Sequence, residues 1–172
     1  GSSVPLETVP TYHPFPGSPA LEVSPVVSAL ASRADTTPVF GGTVSDGVTA
    51  YPVALIGKWP AAVGLANAPL GCVHNLADPN GDVDVLLDGT DVLLAFVGPS
   101  AKGGPRKAFM VRTSDGLSFT GVGSSTGEID SDIVDPQKFA SGRSTDGTYW
   151  VVIAGHTAQG GAEVVQVLRF VP

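Results

Sequence analysis

A chain of 172 residues is long enough for one domain with a real core. With 9 Lys and Arg against 16 Asp and Glu, its net charge of −7 argues against nucleic acid as a partner, because neutralising phosphates takes clustered basic residues. Apolar residues make up 42% and charged residues only 15%, too little charge to solvate a fully free surface, so a partner is expected to cover part of it.

The 22 glycines and 15 prolines fall between short Val/Leu-rich runs, the texture of many short strands joined by turns. The fold class predicted is all-β: antiparallel sheets in a small propeller-like or sandwich-like stack. No apolar run approaches the roughly 18 residues of a membrane helix, and no charged-then-apolar leader opens the chain. Cys72 stands alone, so no intrachain disulfide can form.

Residues 1–38 hold seven of the prolines and read as an extended arm, since proline lacks the donor a central strand needs. Tyr12 and Phe15 suit docking of that arm. Within it, Ser24 as cap and Pro25 in the first turn predict one short helix over 25–33. Residues 39–172 read as a single β domain. PVFGGTV, the turn Ser45-Asp46-Gly47 and VTAYPVALIG predict a hairpin, with Pro52 pushing its second strand to an edge or a bulge. LGCVHNL (70–76) reads as a further strand, and Asp78-Pro79-Asn80-Gly81 as a turn.

DVDVLL (82–87) alternates with period two. Asp88-Gly89 then marks a tight hairpin, and DVLLAFV (91–97) is apolar enough to be buried on both faces. KAFMVRT (107–113) is the next strand, and 121–131 a polar loop. A new unit starts at Val134-Asp135-Pro136. Asp146-Gly147 is again a hairpin turn, TYWVVIAG (148–155) again a buried run, and AEVVQVLRF (162–170) alternates.

DGTDVLLAFVG (88–98) and DGTYWVVIAGH (146–156) align without a gap, and DGVTAYPVALIG (46–57) is a weaker third copy. The turns lie roughly 40 to 60 residues apart, the range of a propeller blade. Repeated units of this size bury their faces only against one another.

Several constellations carry potential chemistry. Asp78, Asn80, Asp82 and Asp84 alternate as oxygen ligands do in calcium loops, although Val83 and Gly89 stand where an EF-hand needs Gly and Glu; calcium is the one cofactor they suggest. Glu128, Asp130, Asp132 and Asp135 are the densest acids, fit for acid–base work, for a cation, or for plain solvation. Gly123-Ser124-Ser125-Thr126-Gly127 has the nucleophile-elbow spacing but lacks a following helix. His13, His74 and His156 share no metal-ligand spacing. Trp59, Trp150, Tyr149, Tyr51 and Phe96 suit either a core or a sugar-stacking platform; Tyr149 and Trp150, adjacent on a strand, face opposite sides.

The succession of Asp-Gly turns and strands, with Ser114, Asp115, Gly116 and Phe119 closing one strand and Asp135-Pro136 opening the next unit, resembles blades of the five-bladed propeller glycosidases over residues 82–170. That resemblance carries over Asp135 alone, as the blade-opening aspartate; no catalytic residue is assigned, and a glycosidase relative would have to use carboxylates near Asp82, Asp84 and Asp135. The binding candidates are Tyr149, Trp150 and Trp59, with Asp115 of the strand-closing turn. The chain is too short for five blades and lacks the family's acid Glu context. Residues 69–90 are similar to the small β-rich head-decoration proteins of tailed phages, which implies a virion structural role. The function expected is non-catalytic: a module recognising a protein or glycan surface, as a homo-oligomer or part of a larger assembly, in an extracellular, cell-surface or virion location.

Overall fold

The computed structural model describes residues 11–12, 21–22, 26–32, 38–45, 50–56, 77, 83–101, 103–158 and 160–170. Everything regular in it is strand. A short pair, β1 (Thr11–Tyr12) and β2 (Leu21–Glu22), precedes three antiparallel meanders. The first joins β3 (Val26–Ser32), β4 (Pro38–Ser45) and β5 (Ala50–Ile56). The second joins β6 (Val83–Asp88), β7 (Asp91–Pro99), β8 (Arg106–Thr113) and β9 (Thr120–Gly121). The third joins β10 (Asp135–Arg143), β11 (Tyr149–His156) and β12 (Glu163–Phe170). Strands adjacent in sequence are adjacent in each sheet, as short connections dictate.

The expected helix is absent: Val26–Ser32 pairs antiparallel with β4, with a bulge between Val27 and Ala29. The local capping signal is outweighed because β4 offers a full ladder, and Val26 and Val27 suit a pleated strand better than a helix. The β unit therefore starts before residue 39. Pro52 sits in β5, an edge strand as anticipated, and Pro38 opens β4. The proposed strand 70–76 and the turns at 46–47 and 78–81 lie outside the described residues.

The middle sheet is apolar on both faces. Val83, Val85, Val92, Leu94, Phe96, Phe109 and Val111 form one core with Val39, Ala50 and Ala54 of the first sheet. Leu93, Ala95, Val97, Ala108 and Met110 form the other with Tyr149, Val151 and Ile153 of the third. The nearly unbroken apolar run of β7 thus has its physical cause, since it is lined by side chains on both sides. Gly41 permits the close approach of the first two sheets: a Cβ there would stand 2.3 Å from Cγ2 of Val85.

β11 departs from the expected buried run. Tyr149, Val151, Ile153 and Gly155 are buried, while the residues between them are exposed or half-exposed. Among the described residues the third sheet has a core on one side only, so its central strand alternates.

The gap-free repeat acquires a geometrical meaning. Gly89 and Gly147, equivalent in the alignment, both have positive φ, 61° and 88°, and both precede the middle strand of a meander. The turns differ in size: Asp88 pairs directly with Asp91, whereas Arg143 pairs with Tyr149 across a longer loop. Leu93 aligns with Val151 and Ala95 with Ile153, and all four enter the same core. The second and third sheets therefore face each other as halves of a sandwich do. Rotated blades would instead each present the equivalent face to the next unit.

Candidate functional site

The densest polar cluster lies at one end of the second and third sheets. Asp88 and Asp91 flank the β6–β7 turn, Arg112 is the penultimate residue of β8, and Arg143 ends β10. Arg143 reaches Asp88 at 3.0 Å and the Leu87 carbonyl at 3.4 Å. Arg112 reaches Asp88 at 3.3 Å and Asp91 at 3.8 Å. Beneath them Tyr149 is 1% exposed, with the Arg143 guanidinium 5.5 Å from its ring centre. The Tyr149 hydroxyl lies beside Asp88 but closes no hydrogen bond of good geometry. Burial first, then the Asp88 carboxylate, pushes its pKa up to about 12. The cluster locks two sheets together; its acids are engaged by guanidiniums and its phenol is held neutral.

That shift carries a sign. The folded chain favours the neutral phenol, so its contribution to stability is complete below pH 10 and is lost as pH rises towards 12. In an absorbance titration of tyrosinate, one tyrosine is expected to lag until the alkaline unfolding transition. Titration of all tyrosines near pH 10 in a still-folded chain would contradict the burial of Tyr149.

Asp84, a candidate in both the catalytic and the calcium sets, is used structurally. Its Oδ2 accepts from the backbone N–H of Ser141 at 2.8 Å and from the Ser141 hydroxyl, bridging β6 to β10. Its Oδ1 accepts from the Val85 N–H at 3.0 Å. Asp115, a candidate binding residue, builds its own turn: it accepts from the N–H groups of Leu117 and Ser118 at 2.8 and 2.9 Å, and from the Thr113 hydroxyl. Asp146 does the same with the Thr148 N–H at 3.0 Å and the Ser144 hydroxyl.

Both turn carboxyls are held below the usual range. For Asp115 the backbone donors of Ser118 and Leu117 are the main cause; for Asp146 it is the Ser144 hydroxyl, then Thr148, which bring it to about 2. Stability from these depressed groups is present above their unfolded value of 3.8 and is lost as pH falls through the folded one. Protection of the Leu117, Ser118 and Thr148 amides, taken relative to their intrinsic exchange rates, is therefore expected to fall as pH drops below about 4, ahead of protection in β7. A uniform fall in protection across all strands would contradict it.

The acids of 128–135 do not converge. Glu128 pairs with Lys107 at 3.1 Å. Asp132 exchanges two hydrogen bonds with Gln166, at 3.0 and 3.2 Å. Asp135 accepts from the Gln137 amide at 2.7 Å and lies 3.8 Å from both Arg106 and His156. No group of three or more metal-ligating side chains occurs among the described residues. Ser124, inside the elbow-like spacing, sits in an exposed turn and donates to the Glu128 carbonyl. Asp78, Asn80, Asp82, Trp59, Cys72 and His74 fall outside the described residues, as does most of the stretch resembling phage decoration proteins.

Trp150 stands apart from Tyr149, on the outer face of the third sheet, as adjacency on a strand requires. It is 41% exposed, and the Arg169 guanidinium lies 5.9 Å from its ring centre. Cross-strand partners share a face, so Trp150 lies with Arg169, Val152 with Val167, Ala154 with Val165 and His156 with Glu163. Val165 and Val167 are 66% and 57% exposed. Searches of protein-family models, curated proteins and solved structures find no match to this chain. The site must therefore be read from its own geometry. Sequence reasoning missed Arg112 and Arg143, which carry no motif. It also missed Val165 and Val167, although EVVQVLRF places valines on both parities, a pattern that signals a strand apolar on both faces.

Among the described residues no helix is long and apolar enough to cross a membrane.

Proposed function

We propose that this chain is a non-catalytic binding and assembly module whose working surface is the outer face of β10–β12. The observation that carries the reading is the row Trp150, Val152, Val165 and Val167 on a face against which no described strand packs, whereas both faces of the middle sheet are covered. Exposed contiguous apolar surface of this kind marks interaction sites. Asp84, Asp115 and Asp146 are engaged in a sheet bridge and turns, and Asp88, Glu128 and Asp135 in ion pairs, which disfavours the glycosidase alternative. One face of the Trp150 ring is taken by Arg169, which favours a protein partner over a stacked sugar.

The test compares the wild type with the double variant Val165→Lys/Val167→Lys, matched for circular dichroism. An apolar fluorescent dye is expected to bind the wild type and to lose most of its signal on the variant. A glycan array, read with and without calcium, is expected to stay silent. Array binding abolished by Trp150→Ala would transfer the face to a sugar ligand. Turnover of chromogenic arabinosides or xylosides lost in Asp135→Asn would replace the proposal with the glycosidase reading.

A further inference from the structure

The binding reading rests on an apolar face; the charges at its ends point to what covers it. The centre of the face is the cross-strand pair Ile153–Gln166, whose own side chains turn inward. Three residues from that centre along β12 lies Arg169, and three residues the other way lies Glu163. On β11 the corresponding places hold Trp150 and His156. The face thus has a cation at one end, an anion at the other, and Val152, Ala154, Val165 and Val167 between them. Lys138, opposite Ala154 on β10, and Asp135, opposite His156, complete its charged groups.

We infer that the third sheet pairs face to face with the same sheet of a second copy, about a two-fold axis lying in the interface across the strands at the Ile153–Gln166 level. That axis reverses strand direction while keeping β12 over β12. It sets Arg169 of each copy over Glu163 of the other, and Trp150 over His156. Two ion pairs then form from one self-complementary surface, as an isologous contact requires. A two-fold along the strands would instead leave both Arg169 side chains at one end of the interface and both Glu163 at the other, and neither ion pair could form. Packed sheets cross at about 30°, which displaces residues about 10 Å from the axis by roughly 5 Å, within reach of an arginine side chain. Arg169 is already held over the Trp150 ring at that end.

The face is small. Three strands about 4.8 Å apart and eight residues at about 3.3 Å each cover roughly 400 Å². A standard interface buries roughly 800 Å² per partner, so the dimer dissociates on dilution.

Sedimentation velocity on the full chain between roughly 10 µM and 1 mM tests this. A reversible monomer–dimer equilibrium is expected, weakened at least about tenfold by Val167→Glu, since it buries a charge against the valines. Glu163→Arg alone and Arg169→Glu alone each put like charges opposite one another twice, and each is expected to weaken pairing about fivefold to tenfold. The double reversal Glu163→Arg/Arg169→Glu restores it. Recovery in the double variant supports the stated axis; a dimer indifferent to Val167→Glu, or reversals that do not rescue each other, overturn it. A monomer at every concentration that still binds the apolar dye overturns self-pairing and leaves the binding surface standing. A monomer that binds no dye overturns both.

Discussion

Replacing Phe96 with alanine is expected to remove about 3–5 kcal/mol of stability, the largest effect of any single truncation in this chain. Phe96 is fully buried in β7, and its ring stacks on Phe109 with centroids 5.3 Å apart and planes 20° from parallel. Its neighbours come from both the first and the second sheets, so the cavity has rigid walls on all sides and little room to relax. A domain of this size has only about 5–15 kcal/mol in total, so the variant should unfold at much lower urea concentration or fail to accumulate. Alanine at Val165 is the control. That side chain is mostly in water, and its truncation is expected to cost less than about 0.5 kcal/mol. Equal costs at the two positions, read from urea midpoints, would mean that the middle sheet is not covered on both faces.

The second large effect is expected at Asp84. Alanine there leaves the Ser141 N–H and hydroxyl and the Val85 N–H without their acceptor. Stranding partly buried donors costs about 1–3 kcal/mol. Because the bond joins β6 to β10, the loss falls on the seam between the second and third sheets. Hydrogen exchange in β10 and β11 should rise while the seam between the first and second sheets is unchanged. Ser141→Ala should reproduce part of the loss, and the double variant should cost less than the sum of the two, since the residues share one interaction. Strict additivity would show that Asp84 acts elsewhere. The same variant bears on function: a carboxylate wholly given to a sheet bridge is not available for a catalytic step or a calcium ion.

Much of the site was hidden in the sequence for a common reason. Asp84, Asp115 and Asp146 look alike as residues, but their roles depend on which donors face them. Asp115 and Asp146 are served by groups within three residues, so their turns were legible as Ser-Asp-Gly and Asp-Gly-Thr. Asp84 is served by Ser141, 57 residues away, and no local pattern announces that. Arg112 and Arg143 converge on Asp88 for the same non-local reason.

The amino-acid pattern alone determined the all-β class, the positions of β4 to β8, β11 and β12, and the two Asp-Gly-Thr turns. Period-two alternation and turn chemistry act between near neighbours, so they survive without knowledge of the fold. Only the tertiary structure decided that β11 is covered once where β7 is covered twice, that Val26–Ser32 is a strand, and that the repeated units meet through equivalent faces. Those outcomes depend on how many sheets lie on either side of a strand, and that number is set by packing between distant segments.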